Sequence, residues 1–542
     1  MMQRILTGRS PIGRGPLLAR PPYLAGYVIE NRRIARVPSG DLISDAPSAS
    51  VELDLAGFRI RLRPGEADAL VAGTYDDRES LLAMHRFAWI SGLGPACDPA
   101  WVGEIWVAWM RRYGADRAGW AWHPYTAAER LINLLYFAAQ YGLPGLREET
   151  LHILGAHGGA IYDRLEYFGT EGTGNHLANN GRGLFLGGLW LGYADWVEIG
   201  ERILLEEAGR LFTASGLLRE GSSHYHLLVT RWYLEAWLFS HRHGRASASR
   251  FESIAALALA AARHLNLPGG FPFIGDISPD CKPEYLTGLT RDTSDGWLAS
   301  LREPDVSAMK ALSGLFDIPL DRLAEDGWMR IESDRWAMLA YAAPNGWHPM
   351  PGHAHYDFGG FELHHGTVPV ICDLGRGSYE ESGSDAVAAS SHATLTVDGR
   401  AAYPINRPYY ADAFRSKIVA PPYRTWSAQS ASVEVPAFPG VTYVGQWRRT
   451  WTASSDMFSI VDRIEGHGRH SITRYLQTTL PVATTSDGLA IGGHAVAVDG
   501  HVTIRPSRRW TAYGRSEPAT SIKINTEAAL PWQSTITIRS PR

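Results

Sequence analysis

Cysteine is scarce: Cys97, Cys281 and Cys372 are the three in 542 residues. Their odd number and wide spacing exclude a disulfide framework and a CxxC zinc motif. Cys372, inside "VPVICDL", reads as a small buried hydrophobe. Long apolar runs are missing too. No stretch approaches the ~20 apolar residues of a membrane-crossing helix, so no membrane insertion is expected. The opening "MMQRILTGRSPIGRGPLLARPP" is basic but has no apolar h-region and no cleavage site, and on that reading a cytoplasmic protein is expected. Excess charge is also absent. The formal balance is −4, without the basic stripe of a nucleic-acid binder. A local cluster of His, Arg and Asn can still hold an anion inside such a chain. No strict repeat is visible, which argues against a regular solenoid.

Aromatic residues are plentiful, with 19 Trp and 23 Tyr in both halves of the chain. Most are expected to fill cores. The alternative is a cleft in which rings stack on the apolar faces of sugars. The length calls for two or three domains.

Residues 1–75 read as an irregular arm rich in Pro, Gly and Arg, with one candidate hairpin, "VELDLAGFRIRLRP". From residue 76 to 325 the apolar period is three to four, in "DRESLLAMHRFAWI", "TAAERLINLLYFAAQYG", "HLANNGRGLFLGGLWLG", "YHLLVTRWYLEAWLFSHRHG" and "FESIAALALAAARHL". Asp77 and Thr126 are expected N-caps, with Glu129 completing a capping box. This spacing predicts a helical array or toroid. From 326 to 542 the segments are short, β-branched and punctuated by Gly, Asp and Pro, as in "HATLTVDGRA", "SASVEVPAF" and "MFSIVDRIEG". They predict an antiparallel β-sandwich. The fold class is therefore α+β and multidomain.

Three stretches carry candidate chemistry. In "EGTGNHLANNGRG", Asn175 and His176 stand in a Gly-rich loop before an apolar helix, where an amide, an imidazole and helix N–H groups can face one anion. The bland reading is a polar cap. In "REGSSHYHLLV", Ser222 or Ser223 caps a helix that carries His224, Tyr225 and His226. Tyr225 is an acid/base candidate if a cation lowers its pKa from ~10. In "PGHAHYDFGGFELHHG", His353 and His355 are two apart and share a face if the segment is a strand. His355, Asp373 and His392 are zinc-type ligands from three successive β segments.

The ordered set "WHPYTAAERLINLL", "GNHLANNGRGLFLGGL", "EGSSHYH", "FPFIGDISPD", "GHAHYDFGGFEL", "ICDLGRGSY" and "SHATLTVDGR" resembles the heparinase II/III family of polysaccharide lyases. The resemblance implies an N-terminal (α/α) toroid followed by a C-terminal β-sandwich. It implies that Asn175 and His176 neutralise a substrate carboxylate and that Tyr225 and His353 are catalytic. Tyr379 resembles a tyrosine that lines the cleft in relatives. Asn179, Arg182, His226 and Arg231, close to these motifs, join it as substrate-binding candidates. His355, Asp373 and His392 look like the structural zinc site of some members; no organic cofactor is implied. Asn179 replaces the Glu of some heparin-active members, and the Arg that closely follows the tyrosine in some relatives comes later here, as Arg231. These departures weaken a transfer of heparin specificity and tilt the expectation toward a bacterial or alginate-like uronate polymer. The implied partner is an anionic polysaccharide; a homo-oligomer is compatible with it, and a periplasmic or secreted location is the alternative to the cytoplasm.

The implied reaction is β-elimination at a uronate: removal of the C5 proton, cleavage of C4–O and an unsaturated product. Two other classes are weighed. A glycoside hydrolase needs two carboxylates beside the bond, with Asp276 and Glu220 as candidates. A binding or exopolysaccharide-biosynthesis protein would keep the fold without turnover.

Overall fold

The computed structural model describes residues 20–32, 42–43, 46–93, 98–170, 172–291, 293, 295–312, 314–333, 335–344, 352–380, 385–403, 421–486 and 488–541. Much of the expected N-terminal arm, Cys97 and Glu171 lie outside them. The expected hairpin forms from Val51–Leu55 and Phe58–Leu62. Its two-residue turn, Ala56 and Gly57, has φ of 52° and 91°, the left-handed pair that matches strand twist. Val51, Leu53, Leu55 and Leu62 enter the same core as Met84, Phe87, Trp101 and Trp106. The hairpin is thus built into the helical half.

That half is a series of helical hairpins. Pro124–Tyr141 turns back as Arg147–Tyr162, Asn175–Leu191 as Ala194–Leu211, and Ser223–Arg242 as Ala248–Leu265. Asp77 caps helix Arg78–Arg86 through the Glu79 N–H. The expected capping box fails. Its helix starts at Pro124, where the missing N–H costs nothing, so Thr126 lies inside the first turn and Glu129 is buried against Arg182. The glycines of "NGRGLFLGGL" let backbones touch. A Cβ on Gly183 would meet that of Ala128 at 2.6 Å, and one on Gly200 would meet the Phe185 nitrogen at 2.3 Å. Helix Asn175–Leu191 is therefore gripped from both sides.

The β half holds an eight-stranded antiparallel sheet running from Tyr423–Trp426 at one edge to Val482–Thr485 at the other. A four-stranded sheet contains His501–Ala512, Arg515–Ala529, Arg469–Thr478 and Leu395–Val397. A second one runs Trp328–Glu332, Trp336–Tyr341, Gly360–His365 and Val368–Ile371. This last sheet joins the halves. Along "WAMLAY" every residue is buried. Ala337, Leu339 and Tyr341 pack into the helical core, while Trp336, Met338 and Ala340 pack into the sandwich core. Period-two alternation gives one strand two apolar faces and fixes the halves against each other.

Candidate active site

The seam between the halves is the segment Pro272–Ser278. Its Ile274 carbonyl accepts from Ser223 N–H at 2.9 Å and its Asp276 N–H donates to the His353 carbonyl at 3.0 Å. Ile277 N–H donates to the Arg376 carbonyl at 2.8 Å. The serines of "EGSSHYH" work at this seam. Ser222 caps helix Ser223–Arg242 through Tyr225 N–H, and its hydroxyl donates to the Asp276 carbonyl at 2.7 Å. The Ser223 hydroxyl donates to Pro272 at 2.6 Å. The Nδ1 of His224 accepts from Ser278 N–H at 3.0 Å. One strap thus draws Tyr225, from the helices, and His353, from the β half, to the same place.

There the Tyr225 and His353 rings stack with centroids 3.5 Å apart and planes 10° from parallel. The Tyr225 and Tyr379 hydroxyls are 2.9 Å apart. Asn175 opens helix Asn175–Leu191 as its first residue; Gly174 is the cap, so the amide is not spent on capping. Its Nδ2 donates to Glu220 Oε2 at 2.5 Å and lies 3.2 Å from His353 Nε2. A carboxylate only accepts, which assigns the amide nitrogen to that side. His353 Nε2 is then an acceptor, its proton is on Nδ1, and Nδ1–H donates to Asp276 Oδ2 at 3.2 Å.

His176 is held differently. Its Nδ1 donates to the buried Glu166 at 2.7 Å, its ring lies 4.5 Å from that of Tyr125, and its side chain keeps 26 % of its exposure. Burial works against a charge on His176, but Glu166 outweighs it and raises the pKa above the ordinary imidazole value. Glu166 itself is buried, yet His176 and His123 hold its carboxyl down to about 2. His123 is pushed by burial down to about 4. Of the two imidazoles lining the cavity, His176 is the one whose surroundings favour the charged form. The cavity is lined by Arg86, Trp120, Tyr125, His176, Tyr225 and Tyr379, among others. Tyr225 has a phenol that burial, with the charge of Asp280 adding, pushes well above its usual value.

Behind His353 lies Asp276. Burial alone would raise its carboxyl, but Arg376, 3.5 Å away, and the His353 and His355 donors hold it below the usual carboxylate range. His355 donates from Nε2 to Asp276 Oδ1 at 3.0 Å, which leaves the Nδ1 lone pair bare. That Nδ1 and His392 Nε2 are buried without a hydrogen-bond partner. One donor atom each from His355, Asp373 and His392 lies within 4.8 Å of the others. Two unsatisfied imidazole nitrogens and a carboxylate are a donor set that suits zinc. The three come from irregular segments and strand ends. "HAHYD" is not a strand, and His353 and His355 are paired by their common partner Asp276 rather than by a pleat.

Four expected substrate-binding residues do not reach the cleft. Arg182 is buried between Glu129 and Glu235, at 2.6 Å from each. Asn179 is buried beside it and accepts from its Nη1 at 3.2 Å. His226 uses both ring nitrogens, on Leu218 N–H and the Ala258 carbonyl. Arg231 is buried 3.5 Å from Glu235, over the Tyr285 ring. These are interior polar contacts of the helix pack: Asn179 and Arg182 share the face of Asn175 but lie one and two turns further along its helix, where Glu129 and Glu235 enclose the guanidinium, while His226 and Arg231 fall on other sides of their helix from Tyr225. Conversely, sequence reading missed Glu166, whose position ten residues before His176 forms no pattern. Glu220 and Asp276, the carboxylates weighed for a hydrolase, hold Asn175 and His353.

The helical half and the antiparallel β half thus share a polar cleft at their seam. Residues 318–536 match the family model described as Heparinase II/III-like, C-terminal. That match covers the β half of the chain. Among solved structures it resembles heparinase III, with a TM-score of 0.65 at 16 % identity over 86 % of this chain and 78 % of that one. It resembles a mutant of heparan sulfate lyase HepC from Pedobacter heparinus, with a TM-score of 0.53 at 15 % identity over 87 % and 78 %. It also resembles chondroitinase AC lyase, with a TM-score of 0.50 at 11 % identity over 88 % and 80 %. No curated protein sequence matches.

Proposed function

We propose that this protein is a lyase that cuts a uronate-containing polysaccharide by β-elimination. The observation that carries the reading is the convergence of Asn175, Tyr225 and His353, from both halves, at hydrogen-bond and ring-contact distances. The C5 proton of a uronate is barely acidic while the neighbouring carboxylate is charged. An imidazolium at His176 and the Asn175 amide offset that charge, and their hydrogen bonds strengthen as the enolate forms. His353 Nε2, an acceptor with its proton on Nδ1, is suited to take the C5 proton, and Asp276 stabilises the cation that results. Tyr225, kept as a neutral phenol, is suited to protonate O4 as the C4–O bond breaks. Zinc, if bound by His355, Asp373 and His392, would brace the β-half loops that carry His353. The heparinase and chondroitinase names of the similar structures agree with an anionic sugar polymer as substrate.

The hydrolase alternative loses its groups. Glu220 and Asp276 are each 2 % exposed and turned to Asn175 and to the histidines. The test is a panel of heparan sulfate, chondroitin, hyaluronan, alginate and bacterial exopolysaccharides, scored by the ultraviolet absorbance of the conjugated product. Reducing ends without that absorbance would mean hydrolysis; no product from any polymer would leave a binding protein.

The charge on His176 gives the reaction a pH signature. A raised pKa keeps the imidazolium present up to higher pH, and activity falls as pH rises through it. Glu166→Gln removes the anion that sustains it. The alkaline limb of kcat/KM is expected to move toward acid. An unmoved limb would detach His176 from charge neutralisation.

A further inference from the structure

At the far end of strand Leu395–Val397 from the His392 cluster, the β half carries a surface cavity of about 370 Å³. It is lined by Asp398, Arg400, Gly440, Thr442, Tyr443 and Arg469, among others. Tyr443 is 61 % exposed, unusual for a large ring. It also sits in the left-handed region, with φ of 67°. An L side chain there costs free energy unless its surroundings fix it. They do: His467 N–H donates to the Tyr443 carbonyl at 3.1 Å, and the His467 ring lies 4.2 Å from the Tyr443 ring. Asp398 and Phe438, in the turns on either side, also have positive φ, at 47° and 61°. Three of the non-glycine residues in this conformation among the described residues therefore gather in one corner, around an aromatic ring held out in water.

The charges around that ring are arranged for an anion. Asp398 is engaged by His470 Nδ1 at 2.8 Å and by Ser471 N–H at 2.9 Å. The guanidiniums of Arg400 and Arg469 have no ion-pair or hydrogen-bond partner among the described residues, and both are exposed. Gly440 and Gly468 contribute backbone without side chains to the lining. An exposed ring, a threonine hydroxyl and two unpaired guanidiniums fit a ring-shaped ligand that carries a carboxylate.

We propose that this corner is an accessory binding site for an acidic saccharide, separate from the catalytic cleft, with Tyr443 as the stacking platform and Arg400 and Arg469 on the carboxylate. His392 and Asp398 are six residues apart, so the site lies within about 22 Å of the zinc-type cluster. The choice of an acidic saccharide rests on the lyase reading; the existence of the site does not.

The test measures binding of ten-residue alginate and heparan sulfate fragments to the full chain, with neutral dextran and polyglutamate as comparisons. Arg400→Ala with Arg469→Ala is expected to weaken at least one fragment's binding roughly tenfold or more. Tyr443→Gly removes the ring and suits the positive φ, so it is expected to lower binding equally while Tm stays level or rises. Tyr443→Phe retains binding. In the lyase assay all these variants are expected to cut tetrasaccharides at the parent rate and to lose efficiency only on long polymer. Unchanged fragment binding in the Arg400/Arg469 double variant would overturn the proposal, as would equal affinity for polyglutamate. Because the readout is binding, a failed activity panel leaves this test standing.

Discussion

Tyr225→Phe is expected to lower kcat by about 10²–10⁴-fold, the usual contribution of a positioned proton donor, while binding of uncut polymer is unchanged. The substitution is clean. Phe keeps the ring that stacks on His353 at 3.5 Å and loses only the hydroxyl that meets Tyr379 at 2.9 Å. No buried donor or acceptor is stranded except the Tyr379 hydroxyl, which lines the cavity. Single-turnover rates on the polymer chosen from the panel measure the effect, with equilibrium binding as the control. A variant that cuts at the parent rate would remove Tyr225 from the chemistry and leave His353 to move both protons.

The second large effect concerns Asn175→Ala. Loss of one preorganised donor to a developing enolate costs about 10²–10³ in kcat. The site adds a structural charge to this. Glu220 is buried and accepts from both the Asn175 side chain and its backbone N–H, at 2.5 and 2.7 Å. Alanine leaves only the backbone donor, so stability should fall by about 1–3 kcal/mol as well. Melting temperature separates the two effects, since kinetics measured well below the transition report only the first. The informative comparison is a substrate whose carboxylate is methyl-esterified. It needs no charge neutralised, so the parent's advantage over Asn175→Ala should shrink on it. An equal loss on both substrates would assign Asn175 to architecture.

Much of the fold was legible because apolar period follows secondary structure directly. The shift from three-to-four spacing to alternating spacing near residue 326 marks the passage from helices to sheets. Several elements escaped, two of them long. "WVGEIWVAWMRRY" forms helix Ala100–Tyr113, and "RSEPATSIKINTEAA" forms the long strand Arg515–Ala529. The first is buried almost all round, so it lacks a polar face. The second pairs on both sides and alternates only weakly.

The site divides along similar lines. Asn175, Tyr225 and His353 stand in distinctive local motifs, and the structure brings them together. Residues that act through a partner gave no such signal. Glu166 is recognisable only when His176 lies 2.7 Å away. Arg182 looks like a ligand for a sugar acid until Glu129 and Glu235 are seen to enclose it. Pairings across 53 residues come from the packing of helices, and local sequence does not encode them.

The contact between Asn175 and His353 bears on timing. In the resting protein the amide of Asn175 leans on the lone pair of His353, at 3.2 Å. On the proposed chemistry that same amide is wanted by the incoming sugar acid. Arrival of the ligand and unmasking of the base are then a single event: the base stays muzzled against stray protons until the correct guest draws the amide aside.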